Sequence, residues 1–288
     1  MLWESTKGRF RAATQPQHEA APLITQRRTD LLMYKGFNLK FSDTSGLGSR
    51  LLTQYGALSE KFRTRKSNAR SSISGYLKNG AVDARRLQED WFQAVKADVF
   101  ISHSHADEAL AMAIGTALEH KLGLRCFIDS CVWGNADELL KEIDNEFCLR
   151  PSGDVYDYDK RNRSTSHVHM MLQGALTKMI DRTECVIFLN TQQSMVTGSG
   201  LTQESQTASP WIYAEVLATK VIRQKLDRKI EGHRKAAMES EAMAFDSMPA
   251  FYHDLDLEHL TQLLPHEVER WLGTGKSGVE ALDYLYLM

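Results

Sequence analysis

The amino-acid sequence predicts an α/β protein: a mainly parallel sheet covered by helices on both faces, preceded by a mostly helical N-terminal extension. Three observations lead to this class. Val99-Phe100-Ile101, Cys126-Phe127-Ile128 and Val186-Ile187-Phe188-Leu189 are short apolar runs of the kind that form buried strands. Between them, apolar residues return every three or four positions, the period of an amphipathic helix. Each run also stops at a polar segment before the next helical pattern begins, as expected where parallel strands are joined by crossovers.

Along the chain, residues 1–22 are polar and mixed in Gln, Pro, His and Ala, and are expected to form a loose arm. From 23 to 58 the apolar residues are scattered among turn formers, densest at 42–49, and no element is assigned; residues 61–70 are strongly basic. Asn79-Gly80 marks a turn, and Leu87, Trp91 and Val95 give residues 82–95 a helical apolar face that must be buried, so the extension, 23–96, is expected to be ordered beyond the arm.

The main domain, 97–260, opens with the strand at Val99 and the polar segment 102–107. Leu110, Ile114, Ala117, Leu118 and Leu122 then trace a helix that Gly123 ends, where a residue free to take φ > 0 is favoured. The second strand ends at Asp129-Ser130 and is followed by a helix over 138–147. Residues 149–169, rich in Asp, Arg, Tyr, Ser and His without an apolar period, are expected to be a loop. Helical spacing over 170–180 leads into the strand 186–189, and the Gln/Ser/Thr/Gly stretch 190–208 is expected to be flexible. Ser209-Pro210-Trp211 has the form of an N-cap, a first-turn proline and a helix start, with the helix running towards Lys225. Ala250-Phe251-Tyr252 is a candidate last strand, and 261–288 a helical tail.

At 288 residues, 42% hydrophobic and 25% charged, the composition is that of an ordinary globular protein. There is no apolar run of the ~18 residues needed to cross a bilayer. The N-terminus, with Glu4, Lys7, Arg9 and Arg11, lacks the apolar core of a secretory signal, so a cytoplasmic location without membrane contact is expected. Cys126, Cys131, Cys148 and Cys185 have no CxxC spacing, and neither disulfides nor a zinc site is expected. The pairs His103/His105 and His167/His169 lack a companion cluster at ligand spacing and are taken as loop histidines; no metal is expected. Residues 1–96 carry 7 Lys and 10 Arg against 8 acidic residues, and the remainder 18 basic against 29 acidic, so the two parts are expected to differ in role. A basic surface here ranks contact with protein ahead of nucleic acid. Gly273-Thr274-Gly275-Lys276-Ser277 fails as a phosphate loop because Arg270 stands where the first glycine belongs, and no G-x-G-x-x-G fingerprint is present.

The carboxyl ends of parallel strands are where such sheets bind ligands, and here they are 102–107, 129–135 and 190–211. Trp211, Ala214, Glu215, Ala218 and Ile222 form one helical stripe, with a carboxylate in its middle. Such a group is paired, exposed at a rim, or functional, because an unpaired buried carboxylate costs several kcal/mol. Ser102, His103, Ser104 and His105 place hydroxyls and imidazoles ahead of a helix N-terminus, suited either to ribose or phosphate or to capping by Ser104 or Asp107. Trp133 either stacks on a base or nicotinamide ring or fills a gap in the core.

The three segments from Val99 to Asp107, from Phe127 through Ser130 to Trp133, and from Ser209 to Glu215 resemble successive signatures of bacterial Toll/interleukin-1 receptor (TIR) domains, over residues 97–260. The resemblance implies a flavodoxin-like fold and an NAD+ glycohydrolase or ADP-ribosyl cyclase-like activity, with Glu215 as the catalytic glutamate and NAD+ as substrate, not cofactor. It further implies that Ser102, His103, Ser104 and His105 contact ribose or phosphate, that Asp129 and Trp133 border the nicotinamide end, and that Trp211 joins the site as the motif's tryptophan, four residues before the glutamate. Such proteins self-associate through the domain and act in anti-phage systems such as Thoeris, making a nucleotide signal for a separate effector. The rival expectation is a non-catalytic TIR–TIR interaction module. The chain departs from the pattern at Ile212, where a cysteine is usual, at 149–169, and in the N-terminal extension.

Overall fold

Alternation of side chains across a strand means that a run buried on both faces must be apolar throughout. The three apolar runs meet that demand, the short Cys126-Phe127-Ile128 among them. Val99–Ser102 is buried at every position and Cys185–Asn190 at all but its last. They pair with each other in parallel, Val99 opposite Cys185 and Ser102 opposite Phe188. The structure, a computed structural model, describes residues 34–41, 46–63, 72–133, 136–196, 205–222 and 251–288. The expected arm 1–22 lies outside them.

Residues 33–288 form one unit around a five-stranded, all-parallel sheet. Its strands are β1 (Lys35–Lys40), β2 (Val99–Ser102), β3 (Cys126–Phe127), β4 (Cys185–Asn190) and β5 (Thr261–Leu263), in the order β3-β2-β4-β1-β5. The helices around it are α1 (Leu47–Tyr55), α2 (Ala84–Trp91), α3 (Glu108–Leu122), α4 (Ala136–Ile143), α5 (Tyr158–Arg182), α6 (Pro210–Val221), α7 (Pro265–Leu272) and α8 (Val279–Leu287). Phe37, Leu39, Val99, Ile101, Ile187 and Leu189 pack with α1, α3, α7 and α8. Phe100, Phe127 and Val186, the alternate residues, face Leu87 and Trp91 of α2 and Leu176, Met179 and Ile180 of α5. This is the flavodoxin-like α/β architecture expected, with both faces of the sheet covered.

The boundary expected at residues 96/97 does not divide this sheet. β1, from the segment where no element was assigned, sits between β4 and β5, with Phe37 opposite Ile187 on one side and Thr261 on the other. Its signal is weak because only Phe37 and Leu39 alternate with Gly36 and Asn38. The tail expected to be helical contributes β5 at the sheet edge before its two helices. The basic and acidic parts of the sequence thus build one core.

Residues 149–169 also differ from the loop expected. α5 begins at Tyr158, where Asp157 caps it by accepting from the Lys160 amide, and its first three turns bury only Ser164 and Val168. A helix segment facing solvent almost all round needs no apolar period, which is why the spacing is silent there. Near the end of the main domain, His253–Asp254 pairs antiparallel with Gln206–Thr207, outside the main sheet, so Phe251 and Tyr252 are not a strand; Ala250 lies outside the described residues. α6 stops at Val221, short of Lys225. Two turn expectations hold: Asn79 and Gly80 both take positive φ in a tight hairpin, and Gly123 ends α3 with φ 62°. Among the described residues no helix is long and apolar enough to cross a membrane.

Candidate active site

The crevice follows from the connections. β2 leads into α3 on one face of the sheet, whereas its neighbour β4 leads into α6, whose Ala218 and Ile222 pack on the other. Chains diverging from adjacent strand ends open a cleft between them at the carboxyl edge. The expected polar segments do converge there. Asp107 Oδ2, after β2, accepts from Thr191 Oγ1, after β4, at 2.6 Å, and His103 lies beside Asp129, after β3.

Glu215 enters this cleft from α6. Ser209 starts the helix by accepting from the Ile212 amide, with Pro210 in the first turn, and this sets Glu215 in the second turn facing inward. It is 3% exposed, and Ser102 Oγ, at the end of β2, donates to its Oε2 at 2.5 Å. No lysine, arginine or histidine pairs with it among the described residues. Of the three states open to a carboxylate in an apolar stripe, the exposed rim and a described cation partner are therefore both absent. Burial, and secondly the negative charge of Asp129, push its pKa well above the usual carboxylate range, against the hydrogen bond from Ser102.

The His103 side chain is buried, 2% exposed, although the residue as a whole is only partly buried. Its Nδ1 lies 3.3 Å from the Ile101 carbonyl and 3.8 Å from Asp129 Oδ1, and its Nε2 lies 3.3 Å from Ser130 Oγ. Oxygen acceptors around Nδ1 favour the proton there, leaving Nε2 to accept from the Ser130 hydroxyl. Ser104 Oγ donates to Asp107 Oδ2 at 2.5 Å, so that carboxylate gathers both Ser104 and Thr191, and neither Ser104 nor Asp107 caps α3 through its side chain. His105 is exposed.

Beside these residues lies a cavity of about 430 Å³, bordered by His105, Asp129, Ser130, Trp133, Trp211 and the acidic side chains of Glu108 and Asp137, with Leu172 and Leu176 of α5 as apolar wall. That volume lies within the range of small-molecule sites. Of the residues singled out in the sequence, His105, Asp129, Trp133 and Trp211 thus border one space, while Ser102, His103, Ser104 and Glu215 lie outside its lining, Ser102 bonded to Glu215, Ser104 to Asp107 and His103 beside Ser130. Trp133 fills the core, 3% exposed. Its indole donates to the Gln93 carbonyl and packs edge-on against Phe92 and Phe127, yet it still borders the cavity. Trp211 meets the His169 ring edge-on at 5.3 Å. Sequence spacing missed Ser130, although its place at a strand end could have flagged it, and Glu108 and Asp137, which look like ordinary surface acids.

The four cysteines are buried and none is in a disulfide, and among the described residues no three His, Cys, Asp or Glu side chains are grouped to hold a metal. No family model, curated protein or solved structure matches the chain.

Proposed function

We propose that the protein is a TIR-type enzyme that cleaves the nicotinamide–ribose bond of NAD+, as a glycohydrolase or an ADP-ribosyl cyclase-like enzyme, with Glu215 as its catalytic residue. The observation that carries this reading is a buried carboxyl without a described cation partner, set at the carboxyl edge of a parallel sheet beside a cavity with tryptophan and acidic walls. Burial and the neighbouring Asp129 disfavour its anion. The cationic pyridinium supplies the missing positive charge, so binding of NAD+ releases the Glu215 proton to water in the cavity, and the carboxylate is in place as charge develops on the ribose. Nicotinamide leaves as a neutral molecule and needs no acid to protonate it. The acidic lining suits the cationic nicotinamide end, and Trp211, one helical turn before Glu215, suits the ring. In this reading the enzyme is cytoplasmic, self-associates through the TIR domain, and makes a nucleotide signal for a separate effector in anti-phage defence.

Incubation of the purified chain with NAD+, followed by chromatography for nicotinamide, tests the proposal. Glu215→Gln keeps the shape and removes the charge, and is expected to slow release by about two orders of magnitude or more, the ~3 kcal/mol of one preorganised transition-state contact. A folded Gln variant with wild-type turnover would end the assignment. One observation favours the competing reading, a TIR module used only for assembly: Glu215 does not itself border the cavity. No nicotinamide release from concentrated wild-type protein, together with self-association, would decide for it.

A further inference from the structure

We propose that Asp129 is a second catalytic residue, the base that takes the proton of the acceptor attacking the ribosyl cation, and that His103 and Ser130 are the residues that position it. The inference rests on the NAD+-cleaving reading and divides its chemistry between two carboxyl groups. Glu215 is 3% exposed, bonded to Ser102 and outside the cavity lining, so it is poorly placed to take a proton from an acceptor arriving through the cavity. An acceptor arrives from the cavity. Asp129 borders that cavity, with 32% of its side chain exposed. Glu108 and Asp137 border it too, but Asp129 is the one of the three that the His103 ring reaches, with Nδ1 3.8 Å from its Oδ1. Two carboxyl groups in unlike environments, one dry and one wet, are the arrangement that separates charge stabilisation from proton transfer.

The support behind Asp129 fits that role. His103 is packed between β2 and the turn after β3, with Nδ1 directed at the Ile101 carbonyl and towards Asp129 Oδ1, and Nε2 at the hydroxyl of the adjoining Ser130. One buried ring therefore braces two consecutive residues at the cavity wall. In the reaction the C1′–N bond breaks with its electron pair leaving on nicotinamide. The oxygen of water, or of a hydroxyl on the substrate itself, then bonds to C1′ while its proton passes to the Asp129 carboxylate. Without that base the cation recaptures nicotinamide, and net release slows even though the bond still breaks.

Azide distinguishes the two roles, because it is a nucleophile with no proton to remove. The full chain and its Asp129→Asn, His103→Gln and Glu215→Gln variants are incubated with NAD+, with and without sodium azide, and nicotinamide and any ribosyl azide are measured. Asp129→Asn is expected to lose about 100-fold in turnover without azide, the scale of a positioned general base, and to recover at least about tenfold with it while forming ribosyl azide. His103→Gln should lose less, keep its KM for NAD+ and be rescued likewise, an outcome that general loosening of the fold would not give. Glu215→Gln should be slow with or without azide. Turnover of Asp129→Asn close to wild type, or no gain from azide, overturns the base assignment while leaving Glu215 in place. Failure of the wild type to release nicotinamide overturns the underlying reading and this inference with it.

Discussion

Replacing Glu215 by Gln tests the buried carboxyl without any substrate. In the unfolded chain the group titrates near its ordinary value of 4.5, while in the folded protein burial and the charge of Asp129 raise it well above that. Between those two values the folded state holds one proton more than the unfolded state. Wild-type stability should therefore fall with rising pH, by about 1.4 kcal/mol per pH unit from this group alone. The penalty is absent below pH 4.5, where both states are protonated, and complete once the pH passes the folded value. Gln keeps an oxygen for the Ser102 hydroxyl and cannot ionise. The stability of the Gln variant minus that of wild type should thus be small near pH 4 and grow by about 1.4 kcal/mol per unit above pH 4.5. Urea unfolding at a series of pH values, followed by tryptophan fluorescence, measures it, and the remaining groups titrate in both proteins and largely cancel. A difference that stays flat, or a Gln variant that loses ground as pH rises, would mean that Glu215 is ionised and paired in the folded protein, and the account of its burial would be wrong.

Two further outcomes test the fold. A chain begun at residue 97 lacks β1, the strand between β4 and β5, and should show no cooperative thermal transition; a sharp transition would refute the shared core. Asp144→Ala removes a buried carboxylate that accepts from Arg161 at 2.8 Å and from Ser164 at 2.7 Å. Because Arg161 is about half exposed, the ionic part is screened, and the expected cost is about 1–3 kcal/mol by denaturant unfolding; less than about 0.5 kcal/mol would show that the contact is idle.

What could be read from the amino-acid order alone follows burial. β2 and β4 were legible because both of their faces are covered, which demands unbroken apolar runs. β1 was not, since its place is set by its partners and only Phe37 and Leu39 mark it, and β5 is a polar edge strand, Thr261-Gln262-Leu263. The start of α5 was hidden by exposure. At the site, Glu215 stood out because a carboxylate in an apolar stripe is costly, and Asp129 and His103 because they follow strands. The contact of His103 with Ser130 depends on two loops meeting in space, and no local pattern encodes it.

The sheet's connectivity also bears on when the protein can take shape. Its first strand is held by its last helix: Lys35 Nζ donates to the Tyr286 carbonyl, the Phe37 and Tyr286 rings stack, and the Tyr286 hydroxyl donates to the Glu184 carbonyl just before β4. As the chain leaves the ribosome from its N-terminal end, β1 has no strand neighbour until 185–190 emerges, and no second one until 261–263 follows. Apolar side chains such as Phe37 and Leu39 must wait until 185–190 is made, a period in which holding chaperones are the natural partners of an unpaired strand. Such a nascent chain has no completed sheet behind its cleft, so the fold itself delays assembly of the site until 261–263 has emerged.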